Sequence, residues 1–202
     1  GWGKQNRIYE NTGGELRLNP PESGWQSYID PGLNAETTYA IALGDADGDG
    51  DLDLAVGNGG RLNGGQANLI MANAAPVVAL NPSPWLSPDA KQSSSTAWGD
   101  WDGDGDLDLA IGNMGQPNQV YENEDGILQF DLEQSLGWQA IITDDLTTSI
   151  AWGDWDNDGD LDLAVGNNNQ PDYVYENEEG TLTLAPIEGL GWASEYISST
   201  QS

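Results

Sequence analysis

Three stretches of the chain carry the same order of apolar, small and polar residues: Leu-Asp-Leu-Ala-Val-Gly-Asn at 52–58 and at 161–167, and Leu-Asp-Leu-Ala-Ile-Gly-Asn at 107–113. Leucine alternating with aspartate, then alanine with a β-branched residue, is the period-two pattern of a strand, and the closing Gly-Asn is a turn signal. The runs before them, 38–43, 96–98 and 149–152, read the same way, so each pair predicts a β-hairpin. Asp45, Asp100 and Asp154 open the hairpin connections and lie 55 and 54 residues apart. Other markers keep this period: Asn-Gln-Val-Tyr-Glu-Asn at 118–123 returns as Asp-Tyr-Val-Tyr-Glu-Asn at 172–177, and Gly137-Trp138 returns as Gly191-Trp192. In the last unit 149–153, 161–166, 173–177 and 181–186 are strand candidates, separated by segments rich in Asn, Gly, Pro and Glu. Four short strands in a unit of about 55 residues is the pattern of a propeller blade. The expected fold is therefore all-β, built of β-propeller-type blades of four antiparallel strands.

The same markers divide the 202 residues into one repeat domain with full blades at 38–93, 94–148 and 149–202. Asn-Arg-Ile-Tyr-Glu-Asn at 6–11 and Gly24-Trp25 match the second half of a unit, so residues 1–37 are expected to form an N-terminal half blade. Closed propellers use about 4 to 8 blades. Three and a half blades are expected to need either further repeats or other copies joined head-to-tail into a ring or filament. The expected contact is the face of Ile8, Tyr9, Leu16 and Leu18 against the blade that carries Leu182 and Leu184.

The hairpin connections hold the distinctive chemistry. Their acidic positions are Asp45, Asp47, Asp49, Asp51 and Asp53; Asp100, Asp102, Asp104, Asp106 and Asp108; and Asp154, Asp156, Asp158, Asp160 and Asp162. Carboxylates at positions 1, 3, 5 and 9 of such a loop converge, and two like charges ~4 Å apart cost about 4 kcal/mol at an effective dielectric of ~20. A cation removes that cost. Glycine at position 6 (Gly50, Gly105, Gly159) supplies the sharp turn, which lets position 7 (Asp51, Asp106, Asp160) offer its backbone carbonyl while its own carboxylate faces solvent. An all-oxygen shell rich in carboxylates suits Ca²⁺ better than Mg²⁺, giving about three Ca²⁺ per chain. An EF-hand would place a glutamate at position 12 and run into a helix, whereas position 12 here is Val56, Ile111 or Val165 inside a strand.

An Asp-x-Asp-x-Asp-Gly-x-x-Asp loop between two strands, ending in Asp-Leu-Ala-Val-Gly-Asn, resembles the FG-GAP or VCBS repeat, and is similar to the calcium-bearing blades of the integrin α-subunit N-terminal propeller. The resemblance covers nearly the whole chain. It implies that the two innermost strands of each blade flank the calcium hairpin, with Asp45, Asp47, Asp49 and Asp53 and their equivalents as side-chain ligands. Where integrins have Gly-Ala-Pro after the second strand, this chain has Gly57-Asn58, Gly112-Asn113 and Gly166-Asn167, so integrin partners do not transfer.

Charge and composition narrow the rest. Five Lys and Arg stand against 34 Asp and Glu, a formal charge of −29 that three Ca²⁺ would reduce to about −23. Nucleic acid and anionic membrane are poor partners for that surface. With no His, serine-histidine and histidine-zinc hydrolysis are excluded, and with no Cys there are no disulfides. No run approaches the ~18 apolar residues of a membrane helix. Asn81 precedes a proline and is no glycosylation acceptor. Trp98 and Trp152 are expected between blades, and Trp25, Trp85, Trp138 and Trp192, one per repeat, in structural positions. Trp101 and Trp155, at loop position 2, are expected to point away from the metal and either cover a neighbouring blade or stack on sugars. The one break in the repeat is the segment 59–65, which holds Arg61 and makes this connection five residues longer than its counterparts. It is either a tolerated surface loop or a specific contact. The expectation is a calcium-stabilised extracellular or cell-surface adhesion and assembly module with no catalytic residues. Its partner would be a protein or further copies of itself; a glycan-binding propeller and a non-catalytic part of a carbohydrate-active enzyme are the alternatives.

Overall fold

The computed structural model describes residues 37–59, 65–73 and 85–185 in full, and residues 9–12 and 15–18 as backbone. All regular structure there is β: β1 (Tyr9–Thr12), β2 (Glu15–Leu18), β3 (Thr38–Gly44), β4 (Asp53–Asn58), β5 (Leu69–Met71), β6 (Trp85–Leu86), β7 (Ser93–Gly99), β8 (Asp108–Asn113), β9 (Gln119–Glu124), β10 (Ile127–Gln129), β11 (Trp138–Gln139), β12 (Thr147–Gly153), β13 (Asp162–Asn167), β14 (Tyr173–Glu178) and β15 (Thr181–Leu184). Three antiparallel sheets follow one another as blades: β3-β4-β5-β6, then β7-β8-β9-β10 with β11 also on β9, then β12-β13-β14-β15. No helix among the described residues is long and apolar enough to cross a membrane.

The fourth strand differs from a single expected run. In the second blade it is split: β10 pairs the outer half of β9 and β11 pairs the inner half, Trp138 opposite Val120. Between them the chain leaves the sheet and returns through Gly137, whose φ of +80° favours glycine. In the first blade Trp85 takes the place of Trp138, opposite Ile70. Near the N-terminus β1 pairs β2 with Asn11 opposite Leu16, the register in which Asn123 faces Leu128 and Asn177 faces Leu182. That register is shared with the outer hairpins of the second and third blades; the rest of the expected half blade at 1–37 lies outside the described residues, as do the side chains of Ile8, Tyr9, Leu16 and Leu18 and the residues Trp25, Trp192 and Arg61.

Strand alternation gives each blade two unlike faces. Leu54 and Val56 point one way, Ala55 and Gly57 the other, and the same holds for Leu109 and Ile111 against Ala110 and Gly112. The small face of one blade receives the large face of the next. Ala42, Ala55 and Ile70 pack on Leu109, Ile111, Tyr121 and Trp98; Ala97, Ala110 and Val120 pack on Ile150, Leu163, Val165 and Trp152. Both faces of β4 and β8 are buried, so these strands read as nearly continuous apolar runs. The approach is closest at the inner strands. A methyl built on Gly44 would lie 2.7 Å from Trp98, and one on Gly99 would lie 2.6 Å from Trp152. Trp98 and Trp152 thus occupy the expected positions between blades. Trp85 and Trp138 are structural too: each meets a tyrosine of a blade edge-on, Tyr121 or Tyr175, and donates its Nε1–H across the junction to Leu128 O or Leu182 O at 3.1 Å.

Candidate metal centres

Each inner hairpin bends through an Asp-rich connection whose backbone is fixed by its own carboxylates. The amide of position 5 donates to Oδ1 of position 3 (Asp49 to Asp47, 3.3 Å; Asp104 to Asp102, 3.2 Å; Asp158 to Asp156, 3.1 Å). The amide of position 7 donates to Oδ1 of position 5 at 2.8–2.9 Å. These are turns in which an aspartate side chain replaces a backbone acceptor. Gly50, Gly105 and Gly159 reverse the chain at φ of +92°, +102° and +106°. Position 4 is also left-handed: Gly48, Gly103 and, in the third loop, Asn157, a residue type that tolerates this region.

Folding brings positions 1, 3 and 9 together. Asp45, Asp47 and Asp53 each offer an oxygen within 4.8 Å of the others, as do Asp100, Asp102 and Asp108, and Asp154, Asp156 and Asp162. The position 9 carboxylate is the anchor. It is buried, and both its oxygens accept backbone N–H groups: Asp53 from Ala46 and Asn73, Asp108 from Trp101 and Asn123, Asp162 from Trp155 and Asn177. Asp49, Asp104 and Asp158 at position 5 stand outside the converging trio and hold the turn. Position 7 departs from expectation. Its carboxylate does not simply face solvent, for Asp106 accepts the amide of Asp125 and Asp160 that of Glu179, both at 2.8 Å, tying the loop to the outer hairpin.

The carboxylates themselves test whether the site fits a cation. Oδ1 of Asp45 and Oδ1 of Asp100 are buried and have no hydrogen-bond partner. A buried, charged, unpartnered oxygen beside two more carboxylates is strongly unfavourable unless a positive charge is supplied. Burial also pushes the Asp108 carboxyl up to about 7, against the pull of the Asn123 and Trp101 amides, with the charges of Asp102 and Asp104 adding to the rise. Asp102 rises through burial and then through Asp104 and Asp100; Asp47 rises through burial and the charge of Asp53. A divalent ion reverses each of these shifts. An all-oxygen, carboxylate-rich donor set fits a hard cation.

Trp101 and Trp155 have different fates. Trp101 is 6% exposed within the junction of the second and third blades and has no face to give a sugar, whereas Trp155 is 45% exposed. Beside Trp155 an open cleft of about 280 Å³ is lined by Ala151, Gly153, Ala164 and Val174, the small face of the last blade.

Several residues of the site framework were not assigned roles from sequence. Glu176 leans on the third loop, where burial, then the charge of Asp156 and a hydrogen bond to it, raise its pKa. At the far end of each blade the Gly-Asn asparagine is boxed in: Asn113 accepts from Ser93, donates to Pro117 O and takes Asn118 Oδ1 on its backbone amide. Asn58 and Asn167 do likewise with Asn68 and Asp172. Side-chain carbonyls of Gln66, Gln116 and Gln170 accept the amides of Thr37, Gln92 and Leu146. The sequence signal for this is the recurrence of Gln-x-Asn or Gln-x-Asp, at 66–68, 116–118 and 170–172, immediately before the third strand of each blade. One further titratable cluster, Lys91 with Asp89 (3.3 Å) and the Tyr121 hydroxyl on Asp89 (3.0 Å), is internally paired at a blade junction.

Residues 100–165 match the model of the FG-GAP-like repeat, a span running from position 1 of the second loop to the strand after the third. Over that span the chain carries an FG-GAP-like repeat. No curated protein matches it significantly. The FG-GAP match therefore characterises the repeat and its all-β blades, in agreement with the geometry, and the three Asp clusters are places that can hold a metal ion.

Proposed function

We propose that this FG-GAP-like chain is a calcium-stabilised extracellular module for adhesion or assembly, with one Ca²⁺ in each of the loops 45–53, 100–108 and 154–162. The observation that carries the reading is the pair of buried, unpartnered oxygens, Asp45 Oδ1 and Asp100 Oδ1, each amid two more carboxylates. In an extracellular setting the affinities are expected in the range of extracellular modules, about 10⁻⁴ to 10⁻³ M. Calorimetry is expected to find about three Ca²⁺ per chain, and each ion present at 100 times its dissociation constant adds about 2.7 kcal/mol of stability. A melting temperature indifferent to chelator would refute it.

The unlike faces of the blades support the assembly half of the reading. On the first blade the large face is open at its innermost strand alone, where β3 exposes Tyr39, Ile41 and Leu43 while Leu54, Val56, Leu69 and Met71 on the same blade are buried; Ile41 is 64% exposed where its counterpart Ile150 is 7% exposed. On the last blade the small face is open, and a methyl on Gly153 would meet nothing within 4 Å. Leu43 of one copy, standing where Trp98 and Trp152 stand, fits the seat at Gly153 of another. Leu182 is itself buried against the preceding blade, so the part of the last blade left open is its small face at Gly153. The partner is a protein surface of this blade type, a second copy being the simplest; a surface of charge −29 suits neither nucleic acid nor anionic lipid. Glycan binding keeps only Trp155 in its favour, and the seat geometry already accounts for that exposed ring. We read the chain as non-catalytic.

A further inference from the structure

The loops are joined across the blade junctions by hydrogen bonds. Ala46, at position 2 of the first loop, donates its N–H to Asp53 Oδ2 (2.8 Å), and its carbonyl accepts Nδ2–H of Asn123 from the next blade (2.7 Å). The Asn123 amide in turn donates to Asp108 Oδ1 of the second loop (2.9 Å). The step then repeats. Trp101 donates to Asp108 Oδ2 (2.8 Å), its carbonyl accepts from Asn177 Nδ2 (2.8 Å), and the Asn177 amide donates to Asp162 Oδ1 (2.9 Å). One line of hydrogen bonds thus runs from Asp53 to Asp162 through position 9 of all three loops. Both asparagines are buried, and each also donates Nδ2–H to its own loop, at Leu107 O (3.0 Å) and Leu161 O (3.1 Å).

A second contact follows the same route. The turn that holds Asp125 on Asp106 also carries Gly126, where an added methyl would lie 2.9 Å from Asp47 of the preceding loop. Gly180 approaches Asp102 in the same way, with 3.3 Å to the nearest atom.

We propose that the three loops take up calcium with positive cooperativity, Asn123 and Asn177 being the positioning residues that tie each loop to the loop of the preceding blade. This rests on reading the loops as calcium sites. An ion in the second loop draws in Asp108 and Asp102 and fixes the outer hairpin that carries Asn123 and Gly126. That hairpin then holds Ala46 and Asp47, so the first loop has less conformational freedom left to lose when its own ion arrives. By linkage the first ion strengthens the second equally.

The test uses the full chain, titrated with Ca²⁺ while the amide resonances of Gly50, Gly105 and Gly159 report each loop separately. Disabling the second loop by Asp100→Asn with Asp102→Asn is expected to weaken calcium at the first loop by about five-fold or more, the lower end of ordinary coupling. In an Asn123→Ala background the same lesion should change the first loop by less than about two-fold. Asn177→Ala removes the same group one blade later; it should leave the first and second loops coupled and release the third. As a readout needing no variant at Asn123, hydrogen exchange at Ala46 should slow as Ca²⁺ fills the second loop, the first being disabled by Asp45→Asn and the third by Asp154→Asn with Asp156→Asn. First-loop affinity unchanged by the state of the second loop, in the chain with Asn123 intact, overturns the proposal while leaving calcium binding standing. Resonances that ignore Ca²⁺ altogether overturn both.

Discussion

At position 9 one carboxylate serves two masters, since Asp108 accepts two backbone amides and also belongs to the converging trio. Without a cation its folded pKa of about 7 lies above the ordinary 3.8, so the folded state holds a proton that the unfolded state has released between those values. Stability from this group is complete below about 4 and is lost as pH rises through about 7. In chelator the melting temperature is therefore expected to climb as pH is lowered from 8 to 5. With Ca²⁺ present the order should invert, because protons then compete with the ion; differential scanning calorimetry at both pH values reads the crossing. Positions 5 and 7 separate in the same experiment. Asp106→Ala frees the Asp125 amide and should cost about 1 kcal/mol while three ions still bind. Asp104→Ala removes the acceptor that sets the carbonyl of position 7, and should weaken the second site. If Asp106→Ala instead abolishes one ion and Asp104→Ala does not, the two positions have been assigned the wrong way round.

The blade as an element rests on glycine meeting tryptophan. Gly99→Ala is expected to destabilise the chain by about 1–3 kcal/mol, the usual cost of overpacking, because its methyl would fall 2.6 Å from Trp152. Gly153→Ala, with open space around it, should leave the urea midpoint nearly unchanged, and equal losses in both would show that backbone propensity rather than the junction is at work. The inner hairpins, the period and the acidic loops were legible in the sequence because alternation and Asp spacing are local signals. The placement of Trp98 and Trp152 was legible because each recurs with one strand residue between it and the loop, where a large apolar ring gains most by burial against the next blade. What stayed hidden was relational. That Asn123 bridges two loops, that Trp101 is buried while Trp155 is open, and that the fourth strand splits at Gly137 all depend on which blade lies alongside, and periodicity within one blade does not record its neighbour.

For the whole molecule the measurable quantity is mass in solution. With Ca²⁺ the chain is expected to sediment as concentration-dependent multimers, and chelator should shrink them because the loops shape the faces that meet. Gly153→Leu fills the seat on the last blade; it should yield monomers with an unchanged melting temperature, whereas multimers of undiminished size would place the contact elsewhere. The alternation of Leu54 and Val56 against Ala55 and Gly57 has one more consequence. Two like faces cannot mate: large against large sets bulky residues where Leu43 stands against their own copies, and small against small leaves a gap around Gly153. The proposed assembly is therefore head-to-tail rather than two-fold, with a sense of direction, and a single capped end would be enough to stop its growth there while the other end stays competent.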